Sequence, residues 1–280
     1  MEKSCFIIGD IGGHVDELYA ELVRAGADPN TLLLPENVSV IQVGDLIDRG
    51  PESLACVELA RDAWRVNSGR YIQLAGNHEL NYLAENFVFV QNTPATAVEA
   101  VISLAEEGAF YVAAGIGNDW LVTHAGVTRG FWKALGGPDV ERSVVALNSA
   151  WGTKGVHAAL VKPGSMLTGK KGDFSAGPFW AEAGHELYAS WLGHPMPFSQ
   201  AHGHNSAYWW DRGIWSAGDG VAALCVKDEV TRRVEFRSGV GEEVIVGLDP
   251  GLGKYAGVRF EPLCVEGTAY TKGPTIRPLG

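Results

Sequence analysis

Two short stretches constrain this chain more than any others: Gly44-Asp45-Leu46-Ile47-Asp48-Arg49-Gly50 and Gly76-Asn77-His78-Glu79. Each follows an apolar run of strand length, residues 38–43 and 71–75. A strand that stops at glycine and continues into Asp, Asn or His presents those groups at the C-terminal edge of its sheet. In open α/β sheets that edge is where ligands bind. An earlier run, residues 5–8, ends the same way in Gly9-Asp10-Ile11-Gly12-Gly13-His14.

Helical spacing fills the gaps between these runs. Val15, Leu18, Tyr19, Leu22 and Val23 repeat on one face and stop at Gly26. Pro51 opens a second helix whose buried face carries Leu54, Val57, Ala60 and Trp64. Strand, helix, strand, helix, strand implies right-handed crossovers and a parallel sheet. A further helix is expected over 94–107, with Val98, Val101, Ile102 and Ala105 inward. The apolar run 120–123 ends in His124-Ala125-Gly126. Residues 127–180 read as loops and short helices rimming the site, and 181–192 as helix. After Gln200-Ala201-His202-Gly203-His204, alternating segments at 207–210, 213–217, 221–226, 231–237, 243–248 and 256–264 predict an antiparallel β region. With no linker, repeat or low-complexity tract, residues 1–280 read as one domain, β-rich from about residue 205.

Hydrophobic residues make up 46% of the chain and charged residues 20%, which supports a sizeable core and argues against disorder. A net charge of −11 excludes a non-specific nucleic-acid binder. It is compatible with a phosphorylated substrate, because a metal can supply local positive charge. Cys5, Cys56, Cys225 and Cys264 show no CxxC spacing and are expected as buried, reduced thiols. No apolar run approaches ~18 residues and no signal-peptide pattern opens the chain, so a cytoplasmic protein without membrane attachment is expected.

The groups at the strand ends are Asp10; Asp45 with Asp48-Arg49; Asn77-His78-Glu79; His124; and His202-Gly203-His204. Carboxylates, an amide oxygen and imidazoles form a ligand set for Mn²⁺, Fe or Zn²⁺. One carboxylate can bridge two metals ~3.5–4 Å apart, the clamp that cleaves phosphate esters. Arg49 suits a bidentate grip on phosphate. His78 is placed to protonate a leaving alkoxide, and Asp48 to orient that imidazole.

This series resembles the calcineurin-like metallophosphoesterase superfamily. It is most similar to the phosphoprotein-phosphatase branch of bacterial Ser/Thr protein phosphatases and symmetrical diadenosine tetraphosphatases. The resemblance spans residues 9–204, and Leu248-Asp249-Pro250-Gly251 is similar to the branch's late Asp-Thr-Gly strand end. It implies an α/β fold, a four-layer αββα sandwich of two mixed β-sheets flanked by helices. It also implies two divalent metal ions, Mn²⁺ first, with Fe or Zn²⁺ as alternatives. Asp45 would bridge them, Asp10 would belong to the first metal, and Asn77, His124 and His204 to the second. His78, supported by Asp48, would be the general acid, Arg49 the phosphate grip, and a metal-bound hydroxide the nucleophile. The substrate would be a phosphorylated small molecule, a nucleotide (diester or polyphosphate) or a phosphoprotein.

The chain departs from this pattern in places. The branch opens with Gly-Asp-x-His-Gly, and here the histidine position is Gly12. His14 or His202 could replace the lost imidazole. Positions 202 and 204 would share a face if the strand continued, although the Gly203-His204 register keeps the family glycine. The branch also carries Trp-x-Arg, and the local match Trp180-Ala181-Glu182 puts Glu182 in the arginine's place. That favours a diester, cyclic phosphate or cation-bearing substrate over a monoester dianion. Trp209, Trp210 and Trp215 either stack a nucleobase or fill core and rim. Lys170-Lys171 is either a solvated loop charge or a contact to distal phosphates. Gly12 supports one alternative function, a catalytically weak or inactive phosphate-binding protein on the same fold.

Overall fold

The computed structural model describes residues 2–84, 91–153, 157–252 and 260–279. The first part alternates as the spacing predicts: β1 (Ser4–Ile8), α1 (Val15–Arg24), β2 (Val38–Gln42), α2 (Ser53–Val66) and β3 (Tyr71–Leu74). Next come α3 (Asn77–Leu83), α4 (Ala95–Glu107), β4 (Phe110–Tyr111), β5 (Ala113–Ile116) and β6 (Trp120–Thr123). Short helices follow: α5 (Arg129–Ala134), α6 (Val140–Ala150), α7 (His157–Leu160) and α8 (Ser165–Thr168). A π-helical segment, Ala183–Tyr188, runs into α9 (Ala189–Trp191) and then β7 (Ser199–His202). The remainder is β8 (Tyr208–Trp209), β9 (Ile214–Trp215), α10 (Asp219–Ala222), β10 (Cys225–Asp228), β11 (Arg233–Arg237), β12 (Val244–Gly247), β13 (Leu263–Glu266) and β14 (Ala269–Tyr270).

Two mixed sheets result. One has the order β13-β1-β2-β3-β4, and the other β10-β11-β12-β7-β6-β5-β14. Their stacking follows from the two-residue period of a strand. Cys5 and Ile7 of β1, Ile41 of β2, and Ile72 and Leu74 of β3 point to the second sheet, against Val122, Ala201 and Val246. Their neighbours Ile8, Val40 and Tyr71 point the other way, onto Leu18, Leu22, Val57 and Ala60 of the first helices. The outer face of the second sheet is also covered. Phe236 and Ile245 pack with Leu187, Tyr188 and Trp191, and the Tyr188 and Phe236 rings stack at 5.0 Å. Helices, sheet, sheet, helices is the four-layer order expected. Each fully buried aliphatic or aromatic side chain in these layers contributes about 1.5–3 kcal/mol.

The C-terminal half is antiparallel within itself as expected, β8 with β9, β10 with β11 and β11 with β12, but it joins the rest of its sheet through a parallel contact. β12 lies parallel to β7, and β7 parallel to β6. The chain between β7 and β12 is long enough to return to the starting end of β7, so the two strands run side by side in the same direction. Residues 207–210 and 213–217 do pair, but as a separate two-stranded hairpin, β8 with β9. Residues 219–222 are helical, so the strand expected over 221–226 begins only at Cys225. Residues 256–259 of the last expected strand lie outside the described residues, and β13 begins at Leu263. The helix expected over 181–192 starts with wide turns, because the Glu182 carbonyl accepts from both Glu186 N–H and Leu187 N–H, at 3.1 and 2.9 Å. Cys5 and Cys56 are buried as expected, but Cys225 is half-buried and Cys264 exposed. Cys264 lies on the edge strand β13, where none of the described residues buries it. Among the described residues no helix is long and apolar enough to cross a membrane.

One buried polar side chain ties the second sheet to α6. Asn148 Oδ1 accepts from Val112 N–H at 2.9 Å and Ala113 N–H at 3.0 Å. Its Nδ2 donates to the Ala113 and Lys272 carbonyls at 3.0 and 2.8 Å. Asn148→Ala strands these backbone groups in the core, so it is expected to cost about 2–4 kcal/mol in urea unfolding. Ser149→Ala, at the exposed neighbouring position, should stay within about 0.5 kcal/mol.

Candidate metal centre

The strand-end residues converge. Asp10 follows β1, Asp45 follows β2, Asn77 opens the helix after β3, His124 follows β6 and His204 follows β7. A buried carboxylate fastens the two diagnostic stretches together. Glu79 accepts the N–H groups of Gly76, Asp45 and Leu46, each at 2.8 Å. Burial, then the charge of Asp45, pushes Glu79 up to about 7. The loop it holds is tightly wound. Asp45, Asp48 and Arg49 have φ of 55°, 69° and 64°, and His204 opposite has 67°. Non-glycine residues rarely adopt this region unless their surroundings hold them there, and it is over-represented at functional sites.

One of the site's imidazoles has its tautomer fixed by the backbone. His124 Nδ1–H donates to the Val43 carbonyl at 3.0 Å, which leaves Nε2 with a lone pair. That Nε2 lies 2.9 Å from Asn77 Oδ1 and 3.5 Å from Asp45 Oδ1. His204 Nδ1 lies 2.7 Å from the same Asn77 oxygen. Its Nε2 is buried and has no hydrogen-bond partner among the described residues. Burial lowers both histidines below the ordinary value, His204 well below it. Burial works against ionising Asp45, but the neighbouring imidazoles, His78 first, outweigh it and hold Asp45 below its usual range. Ligand atoms of Asp45, His124 and His204 lie within 4.8 Å of one another. Nitrogens of two imidazoles, the Asn77 amide oxygen and the Asp45 carboxylate thus converge, and the second ring nitrogen of His204 is left without a partner among the described residues. A buried polar group left so is expensive, and a divalent cation fits this donor set.

The Asp10 side is built differently. Both Asp10 oxygens accept from His204 N–H, at 3.1 and 3.0 Å. Gly203 permits this approach, since a Cβ there would lie 1.9 Å from Asp10 Oδ1. Burial, then the charges of Asp249 and Asp45, raises Asp10 well above the usual carboxylate range. A cation between these carboxylates would relieve that repulsion. No imidazole comes in. Gly12 has φ +53°, and a Cβ on it would make ordinary contact with the Arg49 stem at 3.4 Å, so it is the backbone conformation that disfavours a side chain there. His14 Nδ1–H donates to the Gly12 carbonyl at 3.0 Å. His202 lies on the outer face of the second sheet, where its Nε2 accepts from Tyr188 OH at 3.0 Å. Neither sequence candidate reaches the cleft. β7 ends at His202, and the positive φ at His204 breaks the alternation that would have put both rings on one face.

His78 completes the cleft. Its Nδ1 is 2.6 Å from Asp48 Oδ2, its Nε2 is 3.8 Å from Asp45 Oδ2, and its N–H donates to Asp45 Oδ1 at 3.0 Å. Burial pushes His78 down, but the Asp45 and Asp48 carboxylates outweigh it and leave it above the ordinary value. Thr93 donates to Asp48, Tyr82 donates to Thr93 at 2.6 Å, and Asp48 N–H donates to Ser53 Oγ at 2.9 Å. Arg49, His78, Asp10, Asp45, Gly12 and Asp249 line one cleft. Sequence reasoning missed Thr93 and Tyr82, which carry no local signal. It noticed the strand end at Asp249 without giving that residue a role. Glu182 lies in the neighbouring cavity, with Tyr208, Trp209 and Trp210. Lys171 is exposed, its Nζ 3.0 Å from His185 Nε2.

Residues 5–151, just over half of the chain, match the calcineurin-like phosphoesterase family, and the chain belongs to that family. Serine/threonine-protein phosphatase 1 of Salmonella typhimurium is 39% identical over 77 residues, 28% of this chain and 30% of that protein. The symmetrical bis(5'-nucleosyl)-tetraphosphatase of Mannheimia succiniciproducens is 30% identical over 132 residues, 44% of each chain. These matches span less than half the length of either relative. A solved cold-active protein tyrosine phosphatase aligns over 99% of this chain and 81% of its own, with a TM-score of 0.53 and 16% identity, which is a likeness of fold.

The Glu79 clamp gives a direct expectation. Glu79→Gln turns one acceptor oxygen into an NH₂ that faces backbone N–H groups. It should cost about 2–4 kcal/mol of stability in urea unfolding, and Glu79→Asp, which keeps the charge but shortens the reach, should cost less.

Proposed function

We propose that this protein is a metal-dependent phosphoesterase. The observation that carries this reading is Asp45 standing between two systems: the lone-pair cluster of Asn77, His124 and His204, and the His78–Asp48 pair. Asp45, Asn77, His124 and His204 would hold one divalent cation, and Asp10 with Asp45 would hold a second, with Mn²⁺ the expected ion. Such ions draw charge from phosphate oxygens and lower the pKa of bound water. Arg49, in the same cleft, grips the phosphate through its fork of N–H donors. Asp48 holds the Nδ1–H of His78, so the Nε2–H faces the cleft and protonates the leaving oxygen. The relatives' names point to phosphoproteins and to dinucleoside polyphosphates as substrate classes. Gly12 favours a second reading, a phosphate-binding protein with one cation and little turnover.

Hydrolysis of p-nitrophenyl phosphate, bis-p-nitrophenyl phosphate, cyclic nucleotides and a phosphopeptide, with each divalent metal in turn, separates these readings. Mn²⁺-dependent turnover that falls about 100-fold or more in Asp45→Asn and His78→Asn supports the enzyme. Absence of turnover on every substrate with every metal supports the binding protein.

The pH profile tests the role of His78. The acid must carry its proton, and the two carboxylates raise its pKa, so kcat/KM should fall only as pH rises past that raised value. Asp48→Asn removes one of those charges, so the alkaline limb should move to lower pH, with a smaller change in KM than in kcat. An unmoved limb would assign the proton to another group.

A further inference from the structure

Glu79 ties Asp45 to the Asn77 helix, and a different side chain ties Asp45 to Asp10. Gln42, the last residue of β2, is fully buried. Its Nε2 group donates to the Gly9 carbonyl at 3.0 Å and to the Gly44 carbonyl at 2.8 Å. Gly9 immediately precedes Asp10, and Gly44 immediately precedes Asp45. One planar NH₂ group therefore holds both peptide units through which the chain enters these aspartates. Gln42 Oε1 accepts from Gly44 N–H at 2.8 Å, which fixes which end of the amide faces the carbonyls. Beyond the aspartates the backbone joins the same loops again, with Ile11 N–H and Gly12 N–H donating to the Asp45 carbonyl at 3.1 and 2.8 Å. Asp10 is thus held relative to Asp45 on both sides, and Gln42 supplies the side nearest the strands.

The amide is itself held. Gln42 and Gln73 are register partners on β2 and β3, and they share the helix-facing side of the sheet with Val40 and Tyr71. Gln73 Nε2 donates to Gln42 Oε1 and, at 2.8 Å, to the Leu74 carbonyl, while Gln73 Oε1 accepts from Tyr71 OH at 2.8 Å. Tyr71, Gln73 and Gln42 form a polar line through an otherwise apolar layer. Such a line is costly to bury unless every member is paired, as here. It ends at the glycines before the two aspartates. Glu79 does a different job, because it accepts from Asp45 N–H and Gly76 N–H. The Gly44–Asp45 peptide is common to both, with its C=O on Gln42 and its N–H on Glu79.

We propose that Gln42 is a positioning residue for the Asp10 side of the metal centre: it sets the spacing of the Asp10 and Asp45 carboxylates, whereas Glu79 sets Asp45 against Asn77. The Asp10 side has the greater need of it. Gly12 brings no ligand atom, so a cation there depends on how the carboxylates are placed. Groups that orient ligands without touching the ion govern affinity by about 10- to 100-fold. This role rests on the reading of the cleft as a two-cation site.

Calorimetric titration of the metal-free protein with Mn²⁺ reads each site without turnover. The wild-type chain should show two sites, the tighter one around Asn77. Gln42→Met keeps the length of the side chain and deletes the amide. It should weaken the second site about tenfold or more and the tighter site less than about threefold. Asn148→Ala loosens the fold through partners outside the cleft, and should leave both sites within about twofold. Gln73→Met leaves Gln42 in place but frees its amide, and should weaken the second site about threefold or more. It carries the decision, on the same outcomes, if Gln42→Met fails to fold by circular dichroism. Two wild-type sites that Gln42→Met leaves unchanged, or weakens equally, overturn the positioning role alone. A wild-type chain that takes up a single Mn²⁺ overturns the role and leaves the Asn77 site standing. One that takes up no Mn²⁺ overturns the reading of the cleft, and the role with it.

Discussion

The carboxylate of Glu79 lies beneath the site and accepts N–H groups from two different strand-end loops. Without it the Asp45 loop and the Asn77 helix would each leave backbone donors buried and unmatched. With it, one short chain segment fixes the relative position of Asp45, Asn77 and His78. The left-handed turns at Asp45, Asp48 and Arg49 are held by the same clamp and by Ser53 Oγ, which accepts from Asp48 N–H. A buried negative charge is costly. Here its neighbours are backbone N–H dipoles, and its position under Asp45 adds to the negative potential that a cation would answer.

The consequence is a site whose electrostatics are incomplete without positive charge. Asp10 is held well above the usual carboxylate range, while the neutral His204 presents an unpartnered nitrogen. The two halves are not equivalent. Around Asn77 the donors mix two imidazole nitrogens with oxygens, so the nitrogens suit Zn²⁺ or Fe and the oxygens suit Mn²⁺. Beside Asp10 the strongest neighbouring charges are the Asp249 and Asp45 carboxylates, and Gly12 brings no ligand atom where the branch has a histidine. Gly12 and Arg49 line the same cleft, so the departure at Gly12 leaves open space beside the Arg49 stem.

Much of this was legible in the sequence because strand, glycine and ligand follow one another locally. β1, β2 and β3, the helices between them, and the placement of Asp10, Asp45, Asn77, His78, His124 and His204 all follow from that grammar. What was not legible depended on tertiary packing. The inward face of α4 is turned from the expected one: Ala97, Ala100, Val101, Leu104 and Ala105 are buried, while Val98 and Ile102 are half-buried. The parallel approach of β12 to β7 cannot be read from alternation, because period two is the same for either direction. His202 and His14 looked able to replace the missing imidazole, but a strand that stops two residues before His204 and a nearby carbonyl decided otherwise. Thr93, behind Asp48, belongs to a distant segment and had no motif to announce it.

The central claim is that the facing lone pairs of Asp45, Asn77, His124 and His204 are built to hold a divalent cation. Calorimetric titration of the metal-free protein with Mn²⁺, compared with His204→Ala, tests it most directly. The structure predicts saturable binding by the wild-type chain and loss of the tightest site in the variant, with the fold retained by circular dichroism. Mn²⁺ binding of equal affinity and stoichiometry in both proteins would contradict it.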